Sequence, residues 1–179
     1  MLEKLSDGVF RSSGAYSVLT PEYVNLIKED ALANHLKRSR INFHDTDESS
    51  VHEMILCLHE STRLNVHRHI NKTESFHLIE GVLAVVLFAN DSTGILDTII
   101  IRSGYSSCFY RLNHSIDHLV VPLSEFVIMH ETTSGPFSSD LTIQPIWSKS
   151  TKGKAMIRSI VSNLRSTSAF FEHEKNIPN

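Results

Sequence analysis

Cysteine is scarce in this chain, and the little there is follows no pairing pattern. Only Cys57 and Cys108 occur, far apart and with no CxxC, so no disulfide framework is written in their spacing. Each lies in an apolar, strand-like run (MILCL and SSCFY), where a reduced thiol behaves as a small buried hydrophobe; a disulfide would require the two strands to touch. Long apolar runs are missing too, and nothing approaches the roughly 20 residues that span a bilayer. Basic residues are scattered and outnumbered, 17 Lys and Arg against 20 Asp and Glu, so no basic face or stripe marks a nucleic-acid partner. The opening MLEKLSDGVFRSSG lacks the apolar stretch of a secretory signal, and a cytoplasmic protein with no membrane partner is expected. There is no GxGxxG, no phosphate-binding loop, no nucleophilic Ser or Cys constellation, no internal repeat and no low-complexity segment.

What is present is histidine, eleven of them, and period-two patterning. At 179 residues the chain can bury one sizeable core but not comfortably two. Thr20-Pro21-Glu22 reads as a helix start, and Val24, Ile27 and Ala31 continue at helical spacing, which predicts a helix near residues 21–37. Lys37, Arg38 and Arg40 follow it, as a helix C-terminus favours. From Arg40 the period becomes two: RINFH, VHEMILCLHE, TRLNVHRH, ESFHLIEG, VLAVVLF, ILDTIIIR, SSCFYRL, HLVVP and EFVIMHE read as strands. Polar turns separate them, among them Asp45 to Glu48, residues 90–94 and Ser103-Gly104. Short strands at this spacing imply an all-β sandwich or barrel. Met156, Ile157, Ile160, Val161 and Leu164 form an amphipathic pattern for one closing helix, with a loosely held end from about Ser166. The expected division is an N-terminal arm and helix over residues 1–40, a β-barrel over 41–147, and a C-terminal helix and tail over 148–179.

The stretch VHRHINKTESFHLIEG, Val66 to Gly81, carries the chemistry. On a strand, residues two apart share a face, so His67 and His69 present two imidazoles while Arg68 faces away. Glu74 opens the next strand, and an antiparallel return would bring its carboxylate beside them. Two imidazoles and a carboxylate suit Fe, Mn, Zn, Ni or Cu as divalent ions. A His-x-His pair alone means little in so His-rich a chain; Glu74 and Gly81 narrow it. Asn65 and Arg63 share the parity of His67 and are candidates to line a cavity. Phe76 and Leu78 share that of Glu74 and would form an apolar wall, with His77 on the opposite face. Tyr105 and Tyr110 are candidate acid/base groups. His44, His52, His59, His130 and His173 read as ordinary side chains.

HRHINKTESFHLIEG resembles the first motif of the cupin superfamily, with His67, His69, Glu74 and Gly81 at the required spacing. NHSIDH, Asn113 to His118, resembles the second motif with His118 in the ligand position, although Asn113 and Ser115 replace its Pro and Gly. His114 is a rival by proximity alone. Within the superfamily the chain resembles the WbuC-type cupin-fold metalloproteins through RINFH, VHEMIL, VLFANDSTG and HETTSGPF, with Val66 where such proteins commonly place Pro. The resemblance implies a mainly β protein: one antiparallel jelly-roll barrel with an N-terminal helix and a short C-terminal helix. It implies a divalent transition metal (Fe, Mn, Zn or Ni) held by His67, His69, Glu74 and His118, with a net charge near +1. The implied partner is a small oxygen-rich substrate, a sugar or sugar nucleotide of bacterial surface polysaccharide, with a homodimer as the expected assembly. Three functional readings stay open: a metal-dependent isomerase or oxygenase, a metal-free sugar-nucleotide isomerase or epimerase using His and Tyr, and a non-catalytic binding module.

Overall fold

The structure, a computed structural model, describes residues 1–63, 65–89 and 94–173. The turn expected at residues 90–93 and the chain end from 174 lie outside the described residues, as does the side chain of His173. Twelve strands are described: β1 (Leu2–Ser6), β2 (Val9–Ser12), β3 (Arg38–Asn42), β4 (Val51–His59), β5 (Arg68–His69), β6 (Glu74–Glu80), β7 (Val82–Phe88), β8 (Ile95–Arg102), β9 (Phe109–Leu112), β10 (His118–Pro122), β11 (Phe126–Ser134) and β12 (Thr142–Ile143). Helices α1 (Pro21–Ala33), α2 (Ile146–Lys149) and α3 (Thr151–His173) accompany them. Among the described residues, no helix is long and apolar enough to cross a membrane.

Helix α1 starts as its composition requires, with the Thr20 hydroxyl accepting from the Tyr23 amide and Pro21 in the first turn. It stops short of residue 37 because Asn34 ends it. The buried Asn34 amide donates to the carbonyls of Asp30 and Arg38, and its Oδ1 accepts from the Leu36 amide. Lys37 then takes a φ of +56° and turns the chain into β3. Arg38 and Arg40 are therefore strand residues, not charges on a helix end.

Pairing gives a seven-stranded sheet in the order β1-β2-β3-β4-β11-β6-β9 and a three-stranded sheet, β10-β7-β8, with β5 and β12 as a short separate pair. The expected closed barrel is thus two facing sheets. The first twelve residues, which the sequence left as a bare apolar patch, form a hairpin that joins the large sheet through the parallel β2–β3 pair. Four layers result. The outer face of the large sheet (Ile41, Ile55, Cys57 and Ile128) packs on Ile27 and Ala31 of α1. Between the sheets, Leu58, Phe76, Leu78 and Met129 meet Leu83, Val85 and Ile101. The outer face of the small sheet, with Val86, Phe88 and Leu119, is covered by Trp147, Ile157 and Val161 of α2 and α3. Each such side chain contributes about 1.5–3 kcal/mol. The closing helix is 23 residues long rather than short, because it spans the whole outer face of the small sheet. Both cysteines are free; burial pushes the Cys57 thiol up to about 12.

Gly81 makes this arrangement possible. It is the single residue between β6 of the large sheet and β7 of the small one, at a φ of +89°. A Cβ there would stand 2.3 Å from the Phe126 carbonyl oxygen and 2.5 Å from Ser124 Oγ. Gly104 also has positive φ, +77°, but nothing lies within 4 Å of its Cβ position. Gly104→Ala should therefore cost only the backbone term, about 1 kcal/mol, whereas Gly81→Ala should cost about 3 kcal/mol or more through backbone overlap. Urea midpoints at an unchanged m value measure both; equal costs would show that the sheet crossover tolerates a side chain.

Candidate metal centre

The chain brings His67, His69, Glu74 and His118 together, though not by the expected hairpin. β5 is only two residues long and pairs with β12, while β6 pairs with β9 and β11. Asn71, at a φ of +54°, releases the chain from one pairing into the other. His67 is tied instead to the small sheet: its amide donates to the His118 carbonyl at 3.0 Å, and the His118 amide returns the bond at 2.8 Å. Glu74 begins β6 on the inner face, in line with the core residues Phe76 and Leu78. The cluster therefore lies across the mouth between the two sheets.

Each imidazole is oriented by a partner at Nδ1. His67 Nδ1 lies 3.0 Å from the Asn65 carbonyl, His118 Nδ1 2.9 Å from the Ile116 carbonyl, and His69 Nδ1 3.1 Å from Thr142 Oγ1. A carbonyl can only accept, so His67 and His118 carry their proton on Nδ1 and present a bare Nε2. The ligand nitrogens of the three rings lie within 4.8 Å of one another. With metal–nitrogen bonds near 2.1 Å, one ion reaches all three after a shift of roughly half an ångström. His118 is fully buried while His67 and His69 are half-buried, so the open side lies at those two rings.

Glu74 closes the set. Its Oε1 lies 3.0 Å from His118 Nε2 and its Oε2 3.3 Å from His69 Nε2. The first contact is not aligned as a hydrogen bond, and both its atoms are buried with no partner. Two lone pairs thus face each other out of water, a costly arrangement unless a proton or a cation stands between them. Burial opposes the Glu74 charge, but contact with His118 and His69 outweighs it and holds the carboxyl well below the usual carboxylate range. Burial, helped by the charge of His118, pushes His67 down to about 4. For His118 the pull of Glu74 exceeds the desolvation penalty and raises it. A buried carboxylate, three convergent imidazoles and an orphaned atom pair fit a divalent cation.

Behind the imidazoles runs a layer that sequence reasoning missed. Arg68 points away from the site, as parity requires, and donates to Asp117 Oδ1 at 2.9 Å; the Asp117 side chain is fully buried. Trp147 Nε1 stands 3.4 Å from Asp117 Oδ2, which links α2 to the same carboxylate. Ser115 donates its hydroxyl to the His69 carbonyl at 2.6 Å, so the residue that departs from the second motif joins the two motifs. Asn113 accepts from Arg111. His114 and His77 are exposed. Arg63 and Asn65 are exposed too and lie outside any described strand; Asn65 acts through its carbonyl. Tyr105 is exposed, whereas Tyr110 is buried with its hydroxyl unpartnered. Burial and the Glu74 charge push that phenol up, so it stays protonated. His44 and His52 are buried and stacked at 4.0 Å.

A domain of unknown function (DUF6016) matches residues 19–100, which include His67, His69 and Glu74 but not His118. No curated protein matches the sequence. Among solved structures, protein SO0799 from Shewanella oneidensis aligns over 68% of this chain and 78% of its own, with 10% identity and a TM-score of 0.52. The capsular polysaccharide assembling protein CapF from Staphylococcus aureus aligns over 59% of this chain and 29% of its own, at 14% identity and a TM-score of 0.50. Oxalate decarboxylase from Bacillus subtilis, described with Mn(II) centres, aligns over 54% and 24%, at 14% identity and a TM-score of 0.43. The chain thus spans under a third of the last two. Cupin-fold proteins are among these neighbours, and the likeness concerns the fold alone.

The Arg68–Asp117 pair should act as the lock behind the site. Asp117→Asn should cost about 3 kcal/mol by leaving a partly buried guanidinium without its anion, and Arg68→Met/Asp117→Leu should recover most of it. A double-mutant cycle on denaturant stability measures the coupling. Additive costs would mean that the pair does not hold the two motifs together.

Proposed function

We propose that this chain is a metal-binding cupin of the WbuC type that acts on a small, oxygen-rich molecule, a sugar or sugar nucleotide of surface-polysaccharide chemistry. One observation carries the metal: Glu74 Oε1 and His118 Nε2 are buried 3.0 Å apart without any hydrogen-bond partner, among imidazoles whose protons are committed elsewhere. His67, His69 and His118 would hold the ion through Nε2 and Glu74 through its carboxylate. A divalent ion there supplies Lewis acidity toward a bound oxygen, or redox chemistry if it is iron or manganese. The carbonyls of Asn65 and Ile116 and the Thr142 hydroxyl keep the rings aimed, and the apolar wall of Phe76 and Leu78 excludes water behind them. The polysaccharide assignment rests on the sequence resemblance; CapF, by its description, assembles capsular polysaccharide.

A metal-free isomerase or epimerase has one observation in its favour. The unpartnered Tyr110 hydroxyl and the Glu74–His118 contact could act as acid and base. Elemental mass spectrometry of the purified protein separates the two readings. Near-stoichiometric metal is expected in the parent protein and at least tenfold less in His67→Ala/His118→Ala. Metal at a hundred times its Kd should also raise stability by about 2.7 kcal/mol. A parent protein that takes up no metal after reloading would overturn the metal reading and leave the acid/base one.

A further inference from the structure

The inner face of the large sheet is not uniform. Strand register sets Arg11 beside Asn42, Asn42 beside Met54, Met54 beside Glu131, Glu131 beside Phe76 and Phe76 beside Tyr110. This single row crosses six strands, and the neighbouring row holds Thr133 beside Glu74. From β4 onward the inner face is mostly apolar and covered by the small sheet. At β2 and β3 it is polar: Arg11 and Asn42 share one row, and Arg40, paired with Val9 and Leu56, occupies the next. Parity fixes this face, since the intervening Phe10 and Ile41 belong to the core under α1.

Two of these polar groups carry a buried atom without a partner, while Arg40 is exposed beside them. Arg11 Nε and Asn42 Oδ1 are buried with no hydrogen bond, and Asn42 is only 4% exposed. Among the described residues neither Arg11 nor Arg40 forms an ion pair with a carboxylate. Lys28 and Arg68, by contrast, are paired at 2.7 and 2.9 Å. A folded chain rarely leaves a buried guanidinium N–H and a buried amide oxygen unsatisfied side by side unless something else completes them. Arg11 and Arg40 offer N–H donors to an oxyanion, and Asn42 Oδ1 can accept from a hydroxyl. Asn42 and Glu74 lie three strands apart, about 14 Å of sheet.

We propose that Arg11, Arg40 and Asn42 form an anion subsite on the inner sheet face. It selects, for the metal centre, a hydroxylated molecule that carries a second anionic group, phosphate or carboxylate, at the end remote from the metal. The proposal rests on the reading of the cluster as a metal centre and narrows its substrate class. Arg11 and Arg40 take the anion, Asn42 takes a neighbouring hydroxyl, and His67, His69, Glu74 and His118 hold the ion at the other end.

Three probes test it by calorimetry on zinc-loaded protein, with zinc content measured on the same samples. Gluconate has one anionic end, glucarate adds a second carboxylate and 6-phosphogluconate adds a phosphate. At least one of the two doubly anionic probes should bind at least tenfold more tightly than gluconate, and which one does identifies the anion. Arg11→Met/Arg40→Met should remove that advantage while leaving zinc content and gluconate affinity unchanged. Arg11→Lys/Arg40→Lys keeps the charge and should retain part of the advantage; thermal melting checks that both variants fold. Equal affinities for the three probes, no binding of any, or an advantage that survives in the methionine variant would each overturn the subsite. If the protein takes up no zinc, the metal reading fails separately, and the probes run on the metal-free protein still report on the arginines.

Discussion

A carboxylate with no solvent exposure must be paired, and Asp117 is paired with Arg68, between the two histidines of the first motif. Arg68 sits between His67 and His69 and faces backward; Asp117 precedes His118 and faces the same way. Because neighbouring residues on extended chain point to opposite faces, a single ion pair behind the site fixes the direction of three imidazoles in front of it. The same carboxylate reaches Trp147 at the start of the C-terminal helices, and the Asp117 carbonyl accepts from the Phe88 amide at the end of β7. The position of α3 against the small sheet and the direction of the imidazoles are thereby one problem with one solution.

That constraint acts together with a deliberate imbalance on the other side. Once backbone carbonyls claim the Nδ1 protons of His67 and His118, the front of the site holds lone pairs and a carboxylate with nothing to share. A protein interior tolerates such a set at functional positions, where the missing group is supplied from outside. The Ser115 hydroxyl on the His69 carbonyl is a side-chain hydrogen bond that links the segment ahead of β10 to β5. Asn113 is likewise used locally, by Arg111. Asn113 and Ser115 are thus both held by side-chain hydrogen bonds just ahead of His118.

Much of this was legible in local pattern. Alternation located β4, β6, β7, β8, β10 and β11, and the Thr20-Pro21 signal placed the start of α1, because these depend on near neighbours. The motif spacing picked out four side chains that the fold does gather. What stayed hidden depends on residues far away in sequence. TRLNVHRH alternates like a strand, yet among its described residues only the end pairs: His67 bridges to His118 and Arg68 and His69 to β12. The hairpin of residues 2–12 is nearly featureless alone and becomes structure through β3. Thr142 and Asp117 carry no motif, since their value lies in what they touch. Arg38 looked like a charge at a helix end because nothing local announces that Asn34 stops the helix so early.

The four-layer architecture also explains why a site can exist here at all. Helix α1 covers one outer face and α2 with α3 the other, so the apolar surface that stabilises the fold is spent on three separate clusters. The seven-stranded sheet is wider than its three-stranded partner, and β2 and β3 contribute no side chain to the core between the sheets. Their inner face can therefore be polar without weakening that core, and it carries Arg11, Arg40 and Asn42. Glu131 marks the boundary. Burial and the nearby Glu74 charge push it up to about 8, while Arg40 and His118 pull the other way. The width of the large sheet, not any further motif, is what leaves a polar flank beside the apolar core.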